Sequence, residues 1–232
     1  MLITLGDLAS SSMPATFDED LLLTEVACSL PFGAWAEIGR KISFSYYSSY
    51  HMVNDDQQVG EPDKKILRGH LRRATVNEAL REACRQFNIP FGDVSVGEGT
   101  DNHVEVYAGR LLVTCHRLTG SKSLPDSARY LDQNSELNLS LSQGELFDLW
   151  TVEPLQMAEN PINLLILHAE SDDSPSEVGD IEVVFPKGRS RLCTFHLKDV
   201  VSKQSELERL EPDDLEELKR RVEEITRKRR LA

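Results

Sequence analysis

Five residues with acid–base or metal-binding side chains stand at matching places in two hairpin-like stretches. In HVEVYAGRLLVTCHR, His103 to Arg117, the residues His103 and Glu105 are two apart and so share one face of a strand, with His116 across the turn. In Asp180 to Leu197 the corresponding places hold Glu182 and His196, so each stretch carries a Glu on its first strand and Thr-x-His on its second (Thr114 and His116; Thr194 and His196). Imidazole beside carboxylate can hold a metal or pass a proton, because histidine titrates near neutrality and a carboxylate can fix its tautomer. Together the five form a candidate catalytic face for a hydrolase, a metal-assisted nuclease or phosphoesterase, provided that the two hairpins are neighbours.

The spacings restrain that reading. Neither Glu105 nor Glu182 has a Lys at the second following position, where many metal-dependent nucleases carry one; Tyr107 and Val184 stand there instead. Thr-x-His also reverses the order of the paired His-x-Thr phosphoesterases. No zinc-ligand spacing, G-x-S-x-G elbow or Gly-rich phosphate loop occurs, and the adjacent Cys115 and His116 face opposite ways on a strand. No bound metal and no cofactor are expected.

A second candidate is electrostatic. Between positions 64 and 85 lie Lys64, Lys65, Arg68, Arg72, Arg73, Arg81 and Arg85 against only Glu78 and Glu82, in a chain of 232 residues whose formal charge is -13. Thr75-Val76-Asn77-Glu78 has the spacing of a capping box, which predicts a helix beginning there and running to Phe87, with Val76, Leu80, Ala83 and Phe87 inward and Arg81 and Arg85 outward. Two short helices joined by a tight turn, then a hairpin, resemble a winged helix-turn-helix in outline, from Lys64 to Arg117. That resemblance implies nucleic-acid contact by the basic residues. Glu78 and Glu82 interrupt the basic face, and an acidic chain repels phosphate backbones elsewhere, so a solvated face that pairs with acidic neighbours or an acidic partner is the leading expectation and nucleic acid the second.

The elements that must position these groups follow from periodicity. Leu2 to Leu5 reads as a short strand or arm; a helix from Asp20 sets Leu22, Val26 and Leu30 on one side before Pro31-Phe32-Gly33, and a second starts at Ala34 and runs towards Tyr47. Phe44 to Met52, FSYYSSYHM, concentrates three tyrosines at its end. In the first hairpin Val104, Val106, Leu111, Val113 and Cys115 form the apolar face, leaving a wet or functional face opposite; in the second, Ile181, Val183, Phe185, Cys193, Phe195 and Leu197 do the same. Leu164 to Leu167 is continuously apolar and predicts a strand buried on both faces. Thr119 to Gln143 reads as a long polar passage, Gln143 to Trp150 as a helix, and Glu170 to Gly179 as a solvated acidic loop. Pro212, the acids after it and Arg227 to Arg230 suit the two ends of a last helix, with Leu215, Leu218, Val222 and Ile225 as its stripe.

The result is an α+β fold: N-terminal helices to 89, a mostly antiparallel sheet of two hairpins and a buried strand over 90–201, and a C-terminal amphipathic helix over 202–232 that offers a route to a homodimer. Hydrophobic residues are 40% and no run approaches a bilayer span, so no membrane association is expected. Four scattered cysteines read as buried reduced thiols of a cytoplasmic protein. The expected function is a non-enzymatic regulatory or interaction protein of the antitoxin or immunity type, with the hydrolase as the alternative.

Overall fold

The computed structural model describes residues 19–56, 59–95, 102–109, 111–118, 138, 162–187 and 190–210. The arm at Leu2 to Leu5, the polar passage apart from Asn138, the helix at Gln143 and the helix after Pro212 lie outside them. Helices α1 (Glu19–Ser29), α2 (Ala34–Asn54) and α3 (Glu61–Phe87) come first, then strands β1 (Phe91–Ser95), β2 (Asn102–Ala108), β3 (Leu111–Arg117), β4 (Ile162–His168), β5 (Glu182–Lys187) and β6 (Ser190–His196), and α4 (Leu197–Glu208). The fold is α+β, with one six-stranded sheet in the order β1-β2-β3-β4-β5-β6. Four of its five neighbour pairs are antiparallel, and β3 with β4 is parallel.

Both expected hairpins form with the expected faces. Val104, Val106, Leu111, Val113, Val183, Phe185, Cys193 and Phe195 join Ile162, Leu164 and Ile166 of β4 in one apolar cluster with Val26, Trp35, Ile38, Ile42, Val76 and Leu80 of the helices. All seven residues of β4 are buried, because it has a neighbour along each edge and cover on each face. The face opposite the helices differs from the expectation of a wet surface: Leu112, Thr114, Leu165, Leu167 and Val184 are buried there. Asn138 is one residue set against it. Its Oδ1 accepts from the Asn163 N–H at 2.8 Å and its Nδ2 donates to the carbonyls of Asn163 and Pro186 at 2.9 and 2.7 Å. The ladder needs such help here, since Pro186 has no N–H and a bulge falls between Phe185 and Pro186.

Three corrections concern the helices. α3 is a single helix of 27 residues, so the two helices and tight turn of a winged helix-turn-helix are not present. Pro62 sits in its first turn, and nothing between there and Phe87 breaks it. Thr75 therefore lies mid-helix, where its Oγ1 donates back to the Arg72 carbonyl at 3.1 Å rather than capping a new start. The sheet ends at His196, and the helix that follows starts five residues before the expected switch at 202. α2 continues to Asn54 and carries the whole tyrosine-rich stretch.

Closure of the helical layer rests on two contacts. A Cβ on Gly39 would lie 2.8 Å from Leu197 Cδ2, so α2 and α4 approach through that glycine. Buried Gln204 of α4 donates through Nε2 to the carbonyls of Ala27 and Leu30, which the end of α1 leaves without helical partners, and accepts the N–H of Gly33, whose φ is 81°. No helix among the described residues is long and apolar enough to cross a membrane.

Val106→Asp tests the face assignment, because it sets a charge with no partner in the apolar cluster. The expected cost exceeds about 4 kcal/mol and abolishes the cooperative thermal transition followed by circular dichroism. A melting temperature within a few degrees of the wild type would mean that the faces are reversed.

Candidate functional site

The basic stretch lies along α3, but its charges are largely spoken for. Lys64 donates to the Asn54 carbonyl at 3.1 Å, and Arg68 donates to Asn54 Oδ1 at 2.7 Å while lying over the Tyr50 ring. Arg81 donates to Asp93 Oδ1 at 2.7 and 3.0 Å and to Glu78 at 3.0 Å; Arg85 donates to Glu78 at 2.9 Å. Hydrogen bonds from Arg85 and then Arg81 hold the Glu78 carboxyl below its ordinary range. Lys65 and Arg73 are exposed. Between them the helix presents Ile66 and Leu67, 60% and 45% exposed.

Arg72 is the exception that the sequence reading misplaced. Its side chain is 0% exposed, with Nη1 donating to Glu170 and Nη2 to the Pro175 carbonyl, and its guanidinium lies over the Tyr46 ring at 4.5 Å. It is therefore unavailable to any partner. Glu170 also accepts from Arg117 Nη2 at 2.8 Å. At the same corner Tyr46 Oη and His168 Nδ1 share a hydrogen bond of 2.7 Å. Arg117 and His168 are register neighbours at the ends of the parallel pair β3 and β4. Burial pushes the Arg72 guanidinium down from its ordinary value while Glu170 opposes the fall; burial raises the Tyr46 phenol and lowers His168 to about 3. Glu170 thus begins no freely solvated loop. The segment after it closes through Ser171 N–H to the Glu177 carbonyl and Gly179 N–H to the Ala169 carbonyl, both 3.0 Å.

Of the five sheet residues, the structure sets His103 beside Glu105 on β2 and Glu182 opposite His196 across β5 and β6. His103, buried, has Nε2 3.2 Å from Glu105 Oε1, and Tyr107 Oη donates to Glu105 Oε2 at 3.4 Å. The two hairpins are not neighbours, because β4 separates them: His116 pairs with Leu167, Leu167 with Glu182, and Glu182 with His196. His116 and Glu182 are thus two strands apart, about 10 Å, across an aliphatic side chain. Glu182 instead accepts from Arg191 at 2.6 Å, and His196 lies 4.0 Å from Asp180 as the residue before α4. Burial and then Arg73 lower His116 to about 4. Among the described residues no three His, Cys, Asp or Glu side chains gather as a metal site. On the same face Thr114 Oγ1 and both amide atoms of Asn163 are buried without a hydrogen-bond partner.

Cys84 and Cys193 are buried as expected, and burial pushes both thiols up to about 11; Cys28, by contrast, is exposed. Comparison with protein-family models, curated proteins and solved structures finds no match to this chain. The Tyr46, Arg72, Arg117, His168 and Glu170 cluster is what residue spacing did not reveal. Its one sequence signal is a polar residue, His168, closing the apolar run Leu164 to Leu167.

Two histidines held neutral give the fold a pH dependence. His168 and His116 have folded pKa values of about 3 and 4 against an ordinary 6.5, so between these limits the unfolded chain binds more protons than the folded one. Stability is then complete above about pH 6.5 and falls as pH drops, by about 1 kcal/mol per pH unit for each histidine. Urea denaturation between pH 7 and 5.5 measures the slope. His168→Gln is expected to remove about half of this histidine contribution, and an unchanged slope in that variant would contradict the assignment.

Proposed function

We propose that this is a non-enzymatic interaction protein that presents the first turns of α3 to an acidic protein partner. The observation that carries the reading is the pair Ile66 and Leu67, large aliphatic side chains standing open between exposed Lys65 and Arg73 on a helix whose later turns bury their apolar side chains on one face. Exposed apolar residues rimmed by charge mark protein contacts, and the surrounding cations favour an acidic counterpart. Nucleic acid receives less support. Phosphate binding gains from cations free to release counterions, whereas Arg72 is enclosed and Arg81 and Arg85 are neutralised by Glu78 and Asp93. A neutralising role of the antitoxin or immunity type fits a protein that works by covering another's surface.

A hydrolytic role rests on His103 and Glu105 with His116 on the adjacent strand β3, since Glu182 and His196 lie beyond β4. Its test is hydrolysis of an activated phosphodiester with added magnesium, manganese or zinc. No turnover is expected; turnover lost in Glu105→Ala and in His103→Ala would replace the interaction reading with the enzymatic one.

The interaction reading is tested on two fronts. Purified protein mixed with a random DNA and RNA pool at about 50 and 200 mM salt is expected to show no saturable binding. Affinity-tagged protein is expected to recover a stoichiometric acidic partner from its source cells, lost in Ile66→Glu/Leu67→Glu and retained in Arg81→Gln/Arg85→Gln. Salt-sensitive nucleic-acid binding that disappears in Lys65→Glu/Arg68→Glu/Arg73→Glu would overturn it.

A further inference from the structure

On another surface, the outward face of α2, Phe44, Tyr47 and Met52 are 62%, 55% and 65% exposed, and His51 lies against Tyr47 with ring centroids 4.3 Å apart. Phe44, Tyr47 and His51 follow the 3-and-4 spacing of one helix stripe, with Ser43 and Ser48 beside them. From Ser43 to Asn54 there is no Asp, Glu, Lys or Arg, in a chain of which 28% is charged. A solvated helix face ordinarily carries charge, so about three turns with exposed aromatic, methionine and serine side chains have the chemistry of a covered surface.

The charges that bound this stripe indicate what covers it. Arg40 stands exposed at one end and Asp55 at the other, fifteen residues or about 22 Å apart along the helix. An antiparallel copy of the same helix, centred between Tyr47 and Ser48, matches residue i with residue 95 minus i. Arg40 then meets Asp55 of the second copy, Asp55 meets its Arg40, Phe44 meets its His51, and Tyr47 meets its Ser48. Such a two-fold contact uses the same patch twice and must be complementary to itself, which this order of charges and rings is. The formal charge of -13 on each copy opposes association in general, and a face without net charge is where two copies meet at least cost. Within one chain Asp55 lies 3.9 Å from His51 in an exposed pair, and Arg40, itself exposed, donates to Glu37.

We propose that this protein forms a two-fold homodimer through antiparallel packing of α2 on α2, with Phe44 and Tyr47 at its centre and two Arg40 to Asp55 pairs at its rim. This surface is separate from the opening of α3 and does not depend on the function proposed for it.

Sedimentation equilibrium of the full chain over a wide concentration range tests the proposal. The expected result is a reversible species of twice 26.1 kDa. Phe44→Glu/Tyr47→Glu is expected to weaken association about a hundredfold or more with an unchanged far-ultraviolet spectrum, and with a melting curve that matches the wild type at concentrations too low for it to dimerise, since both side chains are exposed in the monomer. Arg40→Asp and Asp55→Arg alone are each expected to weaken it severalfold, and the double swap to restore it. A monomer at every concentration would overturn the proposal. So would a dimer untouched by the aromatic variants, a dimer broken instead by Leu215→Asp/Leu218→Asp, or a double swap that fails to restore association.

Discussion

A guanidinium enclosed on all sides cannot stand alone, and the position of Arg72 constrains much of the molecule around it. Its charge requires Glu170, whose carboxylate also accepts from Arg117, and its second nitrogen requires the Pro175 carbonyl. Four elements are tied by this one group: α3, which supplies it; α2, whose Tyr46 ring it covers; the end of β3 with Arg117; and the chain leaving β4. The acidic segment from Glu170 to Gly179 is held to the sheet end in consequence. Removing one partner leaves a buried charge without compensation, so the arrangement acts more strongly in specifying a unique packing than in adding net stability.

The same fact redistributes the meaning of the charges along α3. A run of seven cations in an acidic chain looks like a surface, and side-chain count alone treats the seven as equivalent. Packing separates them: Arg72 is internal, Arg81 fastens α3 to Asp93 of the first strand, Arg85 pairs with Glu78 of the same helix, and Lys64 and Arg68 close the α2 end at Asn54. The exposed side chains of this stretch are aliphatic as well as basic, Ile66 and Leu67 beside Lys65 and Arg73. An interaction protein follows more naturally from that stretch than a nucleic-acid reader.

Much of the fold was legible because local pattern and burial agree. Both hairpins set every second residue on an apolar face, the break at Pro31-Phe32-Gly33 separates α1 from α2, and the apolar run Leu164 to Leu167 of β4 is buried throughout. Legibility failed where tertiary contacts decide. The Thr75 capping pattern is satisfied inside a longer helix, because a threonine hydroxyl can equally bond the preceding turn. β1 is short, contains Gly92 and Asp93, and exists by pairing with β2. The candidate catalytic face depended on strand order, which alternation leaves open; with β4 between the hairpins, the echo of Glu and Thr-x-His places Glu105 beside His103 but Glu182 beside Arg191. Gln204, Arg72 and Glu170 are polar residues whose hydrogen-bond partners lie 53 to 177 positions away in sequence, beyond any periodic signal.

The most direct test of the account is a double-mutant cycle on the pair that organises it, Arg72→Met and Glu170→Gln, with unfolding free energies measured by urea at pH 7. A buried, mutually dependent pair predicts that each single variant costs about 3 kcal/mol or more and that the two effects are far from additive, with a coupling above about 2 kcal/mol. Additive effects within about 0.5 kcal/mol, or a melting curve for Arg72→Met indistinguishable from the wild type, would contradict it and return Arg72 to the surface.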